Sequence, residues 1–193
     1  MCIRDSNDTV VLPGWLDHLV ETLAADSSVA IAGSKLLYPD GSLQEAGGSL
    51  LRDGSAINQG RGHARFATMF DLQREVDYIS GASILVEQAF WKAVGGFDER
   101  YAPAYCEDSD LAMAARHLGR RVVYQPKSEV VHLNTLRMQS RPVTNPRLCS
   151  RSTASSFTKN GRLDSKWIIW LRVSRRKWRM PTESVGPVGT RPG

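Results

Sequence analysis

Apolar and polar positions alternate in short blocks along the first two thirds of the chain. Trp15, Leu16, Leu19, Val20 and Leu23 recur at helical spacing after Pro13, predicting a helix over 13–25. Residues 29–32 form a short apolar run, read as a buried strand. Residues 35–38 and 42–44 read as two strands about the turn Pro39-Asp40-Gly41, and Gly47-Gly48 breaks the second. Residues 52–72 are polar, contain glycine and show no period, which predicts a long loop.

Residues 76–86 are apolar on both parities toward their end and predict a central strand. A short helix over 87–94 carries Phe90, Trp91 and Val94 inward and closes at Gly95-Gly96. Leu111, Met113, Ala114, Ala115 and Leu118 predict a helix ending at Gly119. Strands follow over 122–124 and 129–133, with Pro126 as the break between them.

From about residue 136 the pattern dissolves into Arg and Ser. The formal net charge of +5 belongs to this part. Residues 1–134 hold 12 Lys and Arg against 18 Asp and Glu, whereas residues 135–193 hold 13 against 2. The body is therefore acidic, which argues against a nucleic-acid partner. A basic tail that binds nucleic acid or an anionic membrane without catalysis is the alternative reading, and residues 167–178 would then form a basic amphipathic helix. The competing expectation is a reading-frame error that makes 135–193 non-native. Residues 1–6 resemble translated sequencing-library adapter and are set aside as an artefact. Three cysteines far apart suggest neither a disulfide framework nor a zinc site.

Chemistry concentrates in residues 98–110, where five of 13 residues are acids on a loop that runs into a helix. Capping and dipole compensation account for one or two of them; five suggest a site at the helix start. Asp8 and Thr9 read equally as caps of the following helix. His132 stands after a β-branched pair at a strand end, where a satisfied core or edge histidine is ordinary. Gly81 with Ala82 marks close backbone approach to a ligand, or tight packing. Phe97, Trp15 and Trp91 read as core. His18, His63 and His117 fall on surfaces and are assigned no role.

The ordered set Asn7-Asp8-Thr9, Pro13-Gly14-Trp15-Leu16, Gly33-Ser34-Lys35-Leu36, Tyr38-Pro39-Asp40-Gly41, Gly81-Ala82, Gly95-Gly96-Phe97-Asp98-Glu99, Glu107-Asp108 and Val130-Val131-His132 resembles family-2 glycosyltransferases of the rhamnosyltransferase-like type. The resemblance covers residues 7–134. It implies an α/β, partial GT-A fold: a mixed, mostly parallel sheet flanked by helices, with the N-terminal nucleotide-binding half missing. It also implies an inverting, metal-assisted transfer from a nucleotide-sugar donor to a glycan or lipid-linked acceptor, in the cytoplasm or at the inner face of the plasma membrane. On that footing Asp108 matches the general base, and Glu107 orients it or contacts acceptor. Asp8 and His132 hold a divalent metal, Mn or Mg. Gly81, Ala82 and Asp98 lie on the acceptor side. Asp110 is left to the helix's first turn.

Overall fold

The computed structural model describes residues 8–102 and 106–133 with their side chains, and residues 2–4 and 167–170 by backbone alone. Along the chain these form β1 (Cys2–Arg4), β2 (Thr9–Val11), α1 (Trp15–Ala25), β3 (Val29–Leu37), β4 (Leu43–Glu45), β5 (Gly48–Leu50), β6 (Ala56–Asn58), β7 (Arg74–Glu75), β8 (Ile84–Glu87), α2 (Gln88–Val94), α3 (Glu107–His117), β9 (Arg121–His132) and β10 (Trp167–Trp170). Two 3-10 turns, Thr68–Phe70 and Glu99–Tyr101, lie between them.

The fold is α/β, as expected. One eight-stranded sheet runs in the order β1-β10-β8-β3-β9-β2, with β4 beside β3 and β7 beside β9. Among the described residues only β3·β9 and β1·β10 pair in parallel. The other ladders of this sheet are antiparallel, so this part of the sheet is mixed but not mostly parallel.

Helices cover the sheet on both faces, and strand alternation decides which residue serves which face. Leu19 and Leu23 of α1 pack on Val29, Ala32, Leu85 and Val123. Phe90 of α2 and Leu111, Ala112 and Ala115 of α3 pack on Ile31, Ile84, Val86, Val122 and Tyr124. Thus Leu85 and Val123 point one way while their chain neighbours point the other. β3 is buried along all nine residues because it lies between β8 and β9 with helices above and below. Each fully buried Leu, Ile or Val here contributes about 1.5–3 kcal/mol.

Four expectations change. Residues 29–32 and 35–38 are not separate strands, since β3 runs continuously through Gly33 and Ser34. Gly33 is required there: an added Cβ would stand 1.9 Å from Ile79 Cγ2. Pro126 does not end β9, because the register against β3 jumps from Ser34↔Gln125 to Lys35↔Glu129. The extra residues bulge out, so proline's missing N–H costs no ladder bond. Ser128, in the bulge, donates to Trp15 O and shares a hydrogen bond with Ser34 Oγ, both at 2.7 Å.

Residues 52–72 are not a bare loop. Their β6 forms a hairpin with β5. The buried Lys35 holds their far end, with Nζ donating to Asp71 Oδ1 at 3.0 Å and to Arg65 O at 3.2 Å. Lastly, the strand expected over 76–86 begins only at Ile84. Tyr78, Ile79 and Gly81 are buried, but the Ser80 and Gly81 amides go to side-chain carboxylates instead of a ladder.

The basic segment 135–193, with the binding alternative built on it, lies outside the described residues except for the backbone of β10. That backbone is a strand antiparallel to β8, not the amphipathic helix considered for it. No helix among the described residues is long and apolar enough to cross a membrane.

Candidate active site

Two groups of polar side chains are linked through β4. The first forms where β2 and β9 end. Antiparallel register sets Thr9 opposite His132, and Leu133 N donates to Asp8 O at 2.7 Å. With the backbone so occupied, the side chains meet at the rim: His132 Nε2 lies 3.4 Å from Asp8 Oδ2. The other ring nitrogen, Nδ1, donates to Gln44 Oε1 at 2.7 Å. A hydrogen bond at one ring nitrogen orients the other toward Asp8. The helix-cap alternative for Asp8 fails, since Gly14 occupies the N-cap of α1.

A carboxylate oxygen and an imidazole nitrogen side by side suit a borderline divalent cation such as manganese. The carboxamide behind the imidazole supplies the outer support such ligands ordinarily have. The described residues hold no group of three or more His, Cys, Asp or Glu able to bind a metal ion. Two protein ligands fit a cation that completes its coordination with diphosphate oxygens and water.

The second group lies at the start of α3. Asp108 Oδ2 accepts from Gly81 N at 3.0 Å, and Oδ1 accepts from Ser109 N at 2.8 Å. The Ser109 bond is a first-turn contact, as helix capping requires. The Gly81 bond reaches out of the helix to a separate segment, which capping does not. Gly81 and Ala82 lie in the turn before β8, not within a strand. Ala82 turns its methyl into a small core with Leu36 and Val130.

Cys106 precedes this group at φ 77, the only non-glycine residue with positive φ among the described residues. An L-residue in that region stores strain of about 1–2 kcal/mol. Glu107 opens α3 half-buried.

The other expected residues have partners of their own. Asp98 caps its own 3-10 turn, accepting from Arg100 N at 2.8 Å and Arg100 Nε at 2.7 Å. The same Arg100 pair holds its carboxyl below the ordinary carboxylate range. Asp110, on the first turn of α3, accepts from Tyr101 Oη at 3.4 Å. Phe97 packs edge-on to Trp91 at 5.1 Å between centroids, as core.

Two residues were absent from the sequence reading of the site. Gln44 and Glu45 are consecutive on β4, and all of β4 is buried. Gln44 touches His132, whereas Glu45 Oε1 accepts from Ser80 N at 2.9 Å, one residue from the amide that binds Asp108. Neighbouring Cα atoms are about 3.8 Å apart, so β4 links the two groups. Their only sequence signal is a polar pair between Leu43 and Ala46, just before Gly47-Gly48.

Residues 5–147 match the family described as Glycosyltransferase like family 2. N-acetylglucosaminyl-diphospho-decaprenol L-rhamnosyltransferase of Mycobacterium tuberculosis is 32% identical over 131 residues, covering 62% of this chain and 42% of that protein. O-antigen biosynthesis protein RfbC of Myxococcus xanthus is 29% identical over 134 residues, which are 64% of this chain and 10% of RfbC. The uncharacterized protein y4gI of Sinorhizobium fredii is 30% identical over 128 residues, 64% of this chain and 14% of y4gI. The chain thus spans less than half the length of each of these relatives.

Proposed function

The chain belongs to glycosyltransferase-like family 2, and from that premise we propose that it supplies the metal and acceptor side of an inverting sugar transferase. The donor is a nucleotide-diphospho-sugar. The acceptor is a glycan or a lipid-linked glycan, reached from the cytoplasm at the inner face of the membrane.

The observation that supports this reading most is β4. Its consecutive residues Gln44 and Glu45 bond to the His132 group and to the turn that holds Asp108. A transferase needs such an arrangement: leaving-group stabilisation on one side of the sugar and a proton acceptor on the other.

In the proposed reaction Asp108 removes the proton of the acceptor hydroxyl. The freed oxygen forms a bond to the anomeric carbon while the bond to the diphosphate oxygen breaks. The electron pair departs with the nucleotide diphosphate. Attack from the face opposite the leaving group inverts the anomeric configuration. Asp8 and His132 would hold the divalent cation, which neutralises charge on the diphosphate when bound. Gly81 fixes the direction of the Asp108 carboxylate through its N–H. Glu107 adjoins the base and contacts acceptor.

The test is a transfer assay in the full-length protein, with Asp108→Asn against wild type. Loss of turnover with donor binding retained is the expected result. Undiminished turnover removes Asp108 from the mechanism.

A further inference from the structure

Ser80 and Gly81 send successive amides to two different carboxyl groups. Ser80 N donates to Glu45 Oε1 at 2.9 Å, and Gly81 N donates to Asp108 Oδ2 at 3.0 Å. Glu45 is fully buried, carried there by the pairing of β4 with β3, which sets it opposite Leu36. Its second oxygen, Oε2, is buried with no hydrogen-bond partner among the described residues.

No salt bridge to Glu45 is found among the described residues. A buried acid held this way is costly in its charged form. Burial pushes the Glu45 carboxyl up to about 8; the Ser80 amide opposes this, the Asp108 charge adds to it and Arg61 opposes it. The charged and titratable groups around it are thus Asp108 of α3, Arg61 of the segment after β6, Tyr78, two residues before Ser80, and Tyr124 of β9. The Tyr78 phenol is itself pushed up, first by burial and then by Glu45 and Asp108. At neutral pH Glu45 therefore keeps its proton.

We infer that Glu45 is a positioning residue for the base: it fixes the backbone at Ser80 so that the next amide, Gly81 N–H, is aimed at Asp108. The inference rests on reading Asp108 as the base. Its chemistry makes a specific demand: position 45 needs an acceptor for Ser80 N–H and no negative charge. Glutamine meets both requirements, and alanine meets neither the acceptor requirement nor the volume.

The test is amide hydrogen exchange and a pH titration by NMR on the labelled chain, with Glu45→Gln and Glu45→Ala. Glu45→Gln is expected to leave Gly81 protection unchanged. Glu45→Ala is expected to speed exchange at Ser80 and Gly81 by about tenfold or more while β3 and β9 keep theirs. Unchanged Gly81 exchange in Glu45→Ala overturns the inference.

Should Glu45→Ala fail to fold, Glu45→Gln alone decides. The wild-type Gly81 amide shift is expected to inflect near pH 8 with Glu45 ionisation, and the variant's is not. The same inflection in both overturns the inference. In the transfer assay of the full-length protein, Glu45→Gln retains turnover and Glu45→Ala loses about tenfold in kcat with donor KM unchanged. Full turnover in Asp108→Asn alongside a loosened Gly81 in Glu45→Ala sinks the base assignment and leaves the positioning contact standing.

Discussion

The Asp8–His132 group and the Asp108 group are built in opposite ways. At the first, the ladder between β2 and β9 runs to its last residue, and the main chain is satisfied there. Its side chains keep 23% and 11% of their surface at the rim, with a carboxamide behind them. At the second, the ladder stops short. The amides of Ser80 and Gly81 are bonded by Glu45 and Asp108, so those side chains are fixed by the backbone they satisfy. Where the sheet satisfies its own main chain, side chains are offered to an exchangeable ligand. Where it does not, side chains are locked in place. A cation that comes and goes suits the first, and a base that must keep one orientation suits the second.

The sharpest way to break this contrast is at the locked carboxylate. Asp108→Asn keeps the shape and an acceptor for Gly81 N–H but removes the proposed base. Turnover is expected to fall by about 10²–10⁴-fold in the transfer assay. Next comes the support of the offered pair. Gln44→Leu removes the acceptor of His132 Nδ1 and is expected to weaken manganese binding by about 10–100-fold, measured by calorimetry. If the imidazole were already fixed by the sheet alone, affinity would not move.

A third change acts on the packing under the turn. An added Cβ at Gly48 would lie 2.0 Å from Tyr78 Cε1. Gly48→Ala is expected to cost about 1–3 kcal/mol in denaturant unfolding, because ring and backbone must both shift.

A fourth outcome is a pH dependence. The folded Glu45 carboxyl is raised from 4.5 to about 8. The folded chain therefore holds a proton that the unfolded chain releases. Its contribution to stability is present below about pH 4.5 and is lost as pH rises through about 8. Thermal melts of wild type should fall relative to Glu45→Gln across that window. The smallest effect is at Cys106, where φ is 77. Cys106→Gly is expected to relieve strain and stabilise by up to about 1 kcal/mol.

Much of the frame was legible. The helix after Pro13, the Pro39-Asp40-Gly41 turn, the cap at Gly95 and the stop at Gly119 each follow from local chemistry, and each is present. What sequence could not give is where a buried amide finds its partner. Residues 76–86 have the apolar content of a central strand, yet the amides of Ser80 and Gly81 bond carboxylates from β4 and α3. Pro126 has the look of a strand end, yet a bulge against Ser34 and Lys35 absorbs it. Glu45 is an acid in a short strand, and its burial follows from the pairing of β4 with β3. The pairing of Asp8 with His132 was expected from resemblance. The link through Gln44 and Glu45 depends on a contact between elements far apart in sequence.

The central claim is that both groups line one cleft, and a paramagnetic ion tests it directly. Manganese titrated into the labelled chain is expected to broaden the Gly81 amide, and His132→Ala is expected to abolish that broadening. Manganese that binds at Asp8 and His132 while the Gly81 signal stays sharp would contradict the account.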